Sequence, residues 1–175
     1  MDCCNSNQNQ ANSVTGKEYE IIQLEKTKKS CSLCEDFASA KSSKNDTIAV
    51  MSCEGACLRG EVSRRVANSL CFEEYPEKTA RVCLGGAFTK DTGQRNMVRS
   101  AKRVIALEGC LIECTSRMIK GVIPNLEAEI IIVDKYYEFN RNLFAINDVS
   151  EDEIKKYSDE ATINIKKIIM DKIND

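Results

Sequence analysis

Two Cys-x-x-x-Cys pairs, Cys53 with Cys57 and Cys110 with Cys114, are the residues in this sequence best suited to chemistry. Each pair follows a short apolar run that predicts a buried strand, and each precedes a helical pattern. The carboxyl ends of parallel strands meet at one sheet edge, where α/β folds place their sites. Helix N-termini stabilise anions, so we expect these thiols to ionise easily. The pattern therefore indicates soft-metal ligation or thiol redox chemistry.

Four of the cysteines are candidates for a single site: Cys53, Cys83, Cys110 and Cys114. The first three end successive predicted strands, and Cys114 follows Cys110 by one predicted helical turn, which would place both thiols on one helix face. Neighbouring strands lie about 4.8 Å apart and a zinc–sulfur bond is about 2.3 Å long. These thiols could therefore converge on one ion. Cys57 competes for a place in the set.

The remaining cysteines are less informative. Cys31-x-x-Cys34 predicts either a metal-binding pair or a redox pair, and a flap that covers the main site is a further interpretation. Cys71 ends an apolar helical stripe and is expected to be a buried, inert small hydrophobe. Cys3 and Cys4 belong to a polar stretch that is typical of a disordered tail.

Composition narrows the function classes. Among 175 residues, 25 Lys and Arg against 27 Asp and Glu give a net charge of −2, so nothing favours nucleic-acid binding. No apolar run is long enough for a membrane span, and no signal-peptide pattern is present. Ten cysteines then favour a reducing, cytoplasmic location with metal sites or redox thiols. The absence of histidine excludes His-based nucleophile activation and His-ligated zinc. Protein partners are not predicted.

The rest of the sequence predicts how the site is positioned. Strands alternate with helices, which indicates an α/β fold: a three-layer sandwich with a mostly parallel sheet of about four strands. We predict an N-terminal extension, partly disordered, over residues 1–46, with a loop at 39–46, and one α/β domain over 47–175. The predicted strands cover residues 48–51, 80–86, 103–107 and 128–133, the second of them ending in a Gly85-Gly86 turn. Three helices are predicted from local patterns: an apolar stripe at Leu58, Val62, Val66 and Leu70, a helix from about residue 111 that ends near Gly121 in a left-handed stop, and a long C-terminal helix whose capping box is Ser150 with Glu153.

Several of these segments together resemble the DGC-domain family, which is named for an Asp-Gly-Cys tripeptide. The resemblance covers about residues 47–170 and is carried by Cys53-Glu-Gly-Ala, Val82-Cys-Leu-Gly-Gly86, Gly93-Gln94 and Glu108-Gly-Cys110. This chain has Glu108 where the family's tripeptide has Asp. The resemblance implies zinc held by four cysteines, which map onto Cys53, Cys83, Cys110 and Cys114.

Three functions remain open from the sequence. The first is a zinc buffer, sensor or carrier, since a closed four-cysteine zinc site leaves no position for water. The second is a thiol-redox, metalloid-binding or iron–sulfur protein that uses the same cysteines. The third is an enzyme with a small-molecule pocket lined by Gly85, Gly86 and Gln94, for which no catalytic residue is predicted.

Overall fold

A parallel sheet of four strands lies at the centre of the fold in the computed structural model, which describes residues 20–25, 28–44, 46–91 and 93–174. The strand order is β2-β1-β3-β4, and every pair is parallel, so the predicted sheet is confirmed. Cys3 and Cys4 lie outside the described residues. The strands are β1 (Ile48–Ser52), β2 (Thr79–Arg81), β3 (Arg103–Glu108) and β4 (Glu129–Ile132).

Helices cover both faces of this sheet. They are α1 (Ser32–Ser42), α2 (Leu58–Ser69), α3 (Leu84–Thr89), α4 (Gln94–Ser100), α5 (Cys114–Val122) and α6 (Glu151–Asn174). A π-helical segment, Leu70–Glu74, continues α2, and short 3₁₀ turns occur at Val133–Lys135 and Ile146–Asp148. No described helix is both long and apolar enough to cross a membrane.

The sheet separates two apolar cores, which confirms the three-layer sandwich. Side chains alternate between the faces of a strand, so Val50 enters one core and its neighbour Met51 enters the other. The first core is closed by α2 and α6, whereas the second is closed by α1, α3, α4 and α5. Because both faces are buried, each central strand is apolar almost throughout.

The two long helices follow the predicted patterns. In α2 and its π-helical continuation, Leu58, Val62, Val66 and Leu70 recur every four residues, and all four are fully buried against the sheet. Helix α6 begins with the predicted capping box: the Ser150 backbone N–H donates to the Glu153 carboxylate (3.0 Å), and the Glu153 N–H donates to the Ser150 hydroxyl (3.3 Å).

Two short segments differ from the sequence-based prediction. Residues 39–42 are helical rather than a loop, because α1 extends to Ser42 and buries Ala38 in the second core. Gly85 and Gly86 are not a turn: they lie in the first turn of α3. The sulfur of Cys83 accepts the Gly86 backbone N–H at 3.4 Å and so caps α3 immediately after β2.

Candidate metal centre

Three of the four parallel strands deliver a cysteine to the carboxyl edge of the sheet. Cys53 follows β1 directly, Cys83 follows β2 by two residues, and Cys110 follows β3 by two residues. Because β1 lies between β2 and β3, Cys53 occupies the middle of this edge. These positions at strand ends are those that the sequence predicted. A common centre for the sulfur atoms stays a prediction.

Cys53 is the most enclosed of these thiols, with 8% of its surface exposed. Burial raises the pKa of Cys53, while hydrogen bonds from the backbone N–H groups of Gly55 and Gly109 act in the opposite direction. Electrostatic repulsion from the neighbouring acidic groups, Cys114 and Glu108, raises the pKa of Cys53 further. The expectation that every thiol at this edge ionises easily is therefore wrong for Cys53, because desolvation outweighs the backbone donors. A cation that binds here has to displace its proton.

Cys57 is a close neighbour of Cys53. A β-carbon on Gly55 would lie 3.7 Å from the sulfur of each of these two cysteines, so both sulfurs flank the same glycine. Cys57 is the N-cap residue of α2 and is half-buried. Cys57 thus lies beside Cys53, and its competition for a place among the ligands stays a prediction.

Cys110 and Cys114 do not share a helix face, contrary to the prediction. Helix α5 begins only at Cys114, and Cys110 lies in the turn before it. Between them, Glu113 adopts the left-handed conformation (φ 55°), which turns the chain into the helix. Cys110 is half-buried and Cys114 is exposed. The two thiols are therefore held by a turn and by a helix N-terminus, respectively.

Glu108 explains why α5 begins where it does. Its carboxylate is fully buried and accepts the backbone N–H groups of Thr115 (3.2 Å) and Ser116 (2.7 Å). These are donors at the start of α5 that would otherwise lack partners. Glu108 ends β3, so it ties the strand to the helix across the turn that contains Cys110. Sequence reasoning missed this role, although an acidic residue shortly before a helix is a usable signal.

We expect Glu108→Gln to destabilise the fold by about 2 kcal/mol, because an amide oxygen replaces only one of the two carboxylate acceptors and the bonds to a charged group are the stronger ones. Urea unfolding of the metal-free protein measures this cost. Glu127→Gln is the matched control, because Glu127 is exposed in a loop. Equal midpoints for the two variants would contradict the capping role.

Close backbone packing around Gly109 fixes the first turn of α2 against the site. A β-carbon on Gly109 would lie 2.8 Å from the carbonyl oxygen of Arg59, and one on Gly60 would lie 2.7 Å from the backbone nitrogen of Gly55. Real β-carbons do not approach other atoms so closely. The glycine of the Glu-Gly-Cys tripeptide is therefore required by contact between backbones.

The fourth strand end supplies a carboxylate in place of a thiol. Asp134 follows β4 and is 6% exposed. It forms ion pairs with Arg59 (3.3 Å) and with Arg141 (3.4 Å). The guanidinium of Arg59 also lies over the ring of Phe139, with its central carbon 4.9 Å from the ring centroid. These contacts anchor Arg59, whose carbonyl oxygen packs against Gly109.

Arg81 connects the loop of Cys53 to the strand end of Cys83. Its guanidinium is 9% exposed and donates to the Ser52 hydroxyl at 2.6 Å, and it is ion-paired with Glu54. Ser52 ends β1 and Arg81 ends β2. A single buried cation thus holds two neighbouring strand ends together beside the cysteines.

On the β2 side, Gln94 joins Cys83 to the N-terminal helix. Its carbonyl oxygen accepts the backbone N–H of Cys83 (2.9 Å), and its amide nitrogen donates to the sulfur of Cys34 (3.5 Å). Cys34, Cys83 and Gln94 line an open groove of about 570 Å³, together with Phe37, Glu54, Arg64, Asn68, Phe72, Arg81 and Val82. Gln94 lines this groove, and its predicted role in binding a small molecule stays a prediction. Gly85 and Gly86, also predicted to line a pocket, are not among the residues of this groove.

The thiols suit a soft metal by their chemistry, but they are not assembled in advance. Within residues 20–25, 28–44, 46–91 and 93–174, no three Cys, Asp or Glu side chains are already grouped so as to hold an ion. Cys53, Cys57, Cys110 and Cys114 surround the ends of β1 and β3, whereas Cys83 and Cys34 lie on the β2 side. An ion that uses both groups has to draw them together.

Comparison with known families identifies the domain that carries these strand ends. The model of the DGC domain matches residues 49–161, which is more than half of the chain. The chain belongs to the DGC-domain family. The matched range includes Cys53, Cys57, Cys83, Cys110 and Cys114, and it leaves α1 with Cys31 and Cys34 outside. No curated protein and no solved structure matched the chain.

Proposed function

We propose that this protein is a cysteine-ligated metal-binding protein, with zinc as its ion and Cys53, Cys83, Cys110 and Cys114 as its ligands. The observation that carries the proposal is the position of Cys53. Its sulfur lies between the two backbone loops that end β1 and β3, in contact with the N–H groups of Gly55 and Gly109. Thiolates are the ligands that zinc and other soft ions prefer, and this chain has no histidine to compete with them.

The proposal distinguishes between two candidates for the fourth ligand, Cys83 and Cys57. Cys53 and Cys110 follow β1 and β3 in loops that both pack against the first turn of α2, through Gly60 and Gly109. Cys114 begins α5, after the turn that contains Cys110. Cys83 completes the set from the neighbouring strand β2 in the proposed site. Cys57 is the alternative fourth ligand, because its sulfur flanks Gly55 together with that of Cys53.

A buffer, sensor or carrier role fits such a site better than hydrolysis. Four thiolates fill the coordination sphere of zinc, so no water can be activated on the ion. Binding then couples to proton release, because Cys53 is protonated in the metal-free protein at neutral pH.

Metal analysis of anaerobically purified protein tests this proposal. We expect one tightly held zinc ion per chain and a colourless solution, and a Cys57→Ser variant that retains this zinc. Iron together with sulfide and a brown colour would instead establish the iron–sulfur alternative. Metal content well below one ion per chain, after reconstitution with zinc under reducing conditions, would refute the metal-binding function.

A further inference from the structure

Helix α1 lies outside the matched family domain, yet it is firmly attached beside the site. The carboxylate of Glu35 pairs with Lys90 at 2.9 Å and packs against Gly93, where a β-carbon would lie 2.6 Å from a Glu35 oxygen. Ala38 on the same helix is 1% exposed in the second core. The Cys31-x-x-Cys34 pair therefore occupies a defined place and is not carried on a loose flap.

That place is next to Cys83. Gln94 is 5% exposed and contacts both cysteines. Its amide nitrogen donates to the sulfur of Cys34, and its carbonyl oxygen accepts the backbone N–H of Cys83. Both cysteines line the same groove, whose walls include the rings of Phe37 and Phe72. A small group attached to the sulfur of Cys83 has this open groove to occupy, with Cys34 in its wall.

The three thiols also differ in accessibility. Cys83 is exposed, so a small disulfide in solution can reach its sulfur. Cys34 is half-buried beneath Gln94, and Cys31 is exposed as the N-cap residue of α1, one turn before Cys34. An exposed thiol that is open to modification thus lies beside a sheltered thiol, and the sheltered thiol has a second cysteine within one helical turn.

We propose that Cys34 and Cys31 form a dithiol that repairs Cys83 by reducing a mixed disulfide between Cys83 and a low-molecular-weight thiol. The inference rests on the proposed function in one respect: Cys83 is there a metal ligand, and a disulfide-bonded cysteine cannot bind zinc as a thiolate. The activity is thiol–disulfide exchange within one chain, with the Cys83 adduct as its substrate.

The chemistry balances over two exchange steps. The Cys34 thiolate attacks the outer sulfur of the adduct, the bond between that sulfur and Cys83 breaks, and Cys83 leaves as a thiolate. The small thiol is now bonded to Cys34. The Cys31 thiolate then attacks the sulfur of Cys34, and the small thiol leaves as its own thiolate. One dithiol is oxidised to a Cys31–Cys34 disulfide, and one mixed disulfide is reduced to two thiols.

Tryptic cleavage separates the partners in this reaction. Cys31 and Cys34 fall in one peptide, residues 30–41, and Cys83 is the only cysteine in the peptide of residues 82–90. The fully reduced, metal-free chain is treated with one equivalent of oxidised glutathione, sampled over time under acid quench, and mapped by mass spectrometry. An intrapeptide disulfide lowers the mass of peptide 30–41 by two hydrogens, whereas an adduct raises the mass of peptide 82–90.

In the wild type we expect the Cys83 adduct to be transient and the Cys31–Cys34 disulfide to accumulate at the same rate. In Cys34→Ser the adduct on Cys83 should persist at least about tenfold longer, because the neighbouring attacking thiol is lost. In Cys31→Ser the adduct should move to Cys34 and remain there, a result that a misfolded variant would not give. Cys71→Ser is the control and should behave as the wild type does.

Two results would overturn the inference: a Cys83 adduct that lasts equally long in the wild type and in Cys34→Ser, or an adduct that disappears without oxidation of peptide 30–41. The assay contains no metal, so a failure of the zinc proposal leaves its outcome unchanged. Conversely, a protein that binds zinc but does not repair Cys83 would refute this inference alone.

Discussion

Cys110→Ser should abolish tight zinc binding, whereas Cys71→Ser should leave it intact. Structural zinc in cysteine-rich peptides is bound by roughly 10–16 kcal/mol, so each of four ligands accounts for about 3 kcal/mol. Loss of one thiolate then weakens binding by more than about a hundredfold. Serine has nearly the same shape as cysteine, but its hydroxyl is a far poorer ligand for a soft ion. Competition with a chromophoric zinc chelator measures the affinity of each variant.

Cys71 is the matched control because it differs from Cys110 in environment rather than in type. It is 3% exposed in the core closed by α2 and α6, and burial raises the pKa of Cys71 to about 11. Cys71→Ser should therefore cost about 1 kcal/mol of stability, because a more polar hydroxyl replaces the thiol in this core while Thr79 still offers it a hydrogen bond, without changing zinc affinity. Equal zinc retention by the two variants would show that Cys110 is not a ligand and would favour the redox alternative.

The parts of the fold that depend on local pattern could be predicted from the sequence. The buried stripe of α2 repeats every four residues, and the capping box at Ser150 spans only four residues. Each of these patterns is local in the sequence, and both are confirmed. The strand ends at Cys53, Cys83 and Cys110 followed from three apolar runs and from the rule that parallel strands share an edge. These local signals were enough to identify the family.

The parts that the sequence did not predict depend on contacts between distant segments. The start of α5 is set by Glu108, whose carboxylate reaches two backbone donors across the turn, so the pattern of residues 110–114 alone placed the helix too early. The attachment of α1 depends on Glu35 with Lys90 and on Cys34 with Gln94, pairs that are far apart in the sequence. Gly121 shows the same limit: it was predicted as a left-handed helix stop, but among the described glycines only Gly93 has a positive φ.

The need for glycine at position 109 also comes from a contact with a distant segment, and substitution of Gly109 should strongly lower the stability of the protein. We expect Gly109→Ala to destabilise the metal-free protein by about 3 kcal/mol, at the upper end of the cost of overpacking, because the new β-carbon meets the backbone of Arg59 and Gly60 rather than a side chain that can rotate away. The first turn of α2 would have to move from the loop that carries Cys110. Zinc affinity should therefore fall together with stability.

Gly121→Ala is the matched control for this substitution. A β-carbon on Gly121 meets nothing within 4 Å, and the residue lies inside α5 with an ordinary helical backbone. Alanine there should stabilise the protein by about 0.5–1 kcal/mol, because glycine loses more conformational freedom on folding. Urea unfolding should thus move the two midpoints in opposite directions. A shift of the midpoint for Gly109→Ala in the same direction as for Gly121→Ala would contradict this account. The close approach of α2 would then not be the reason for glycine at position 109. The positioning of Cys110 would have to be assigned to Glu108 alone.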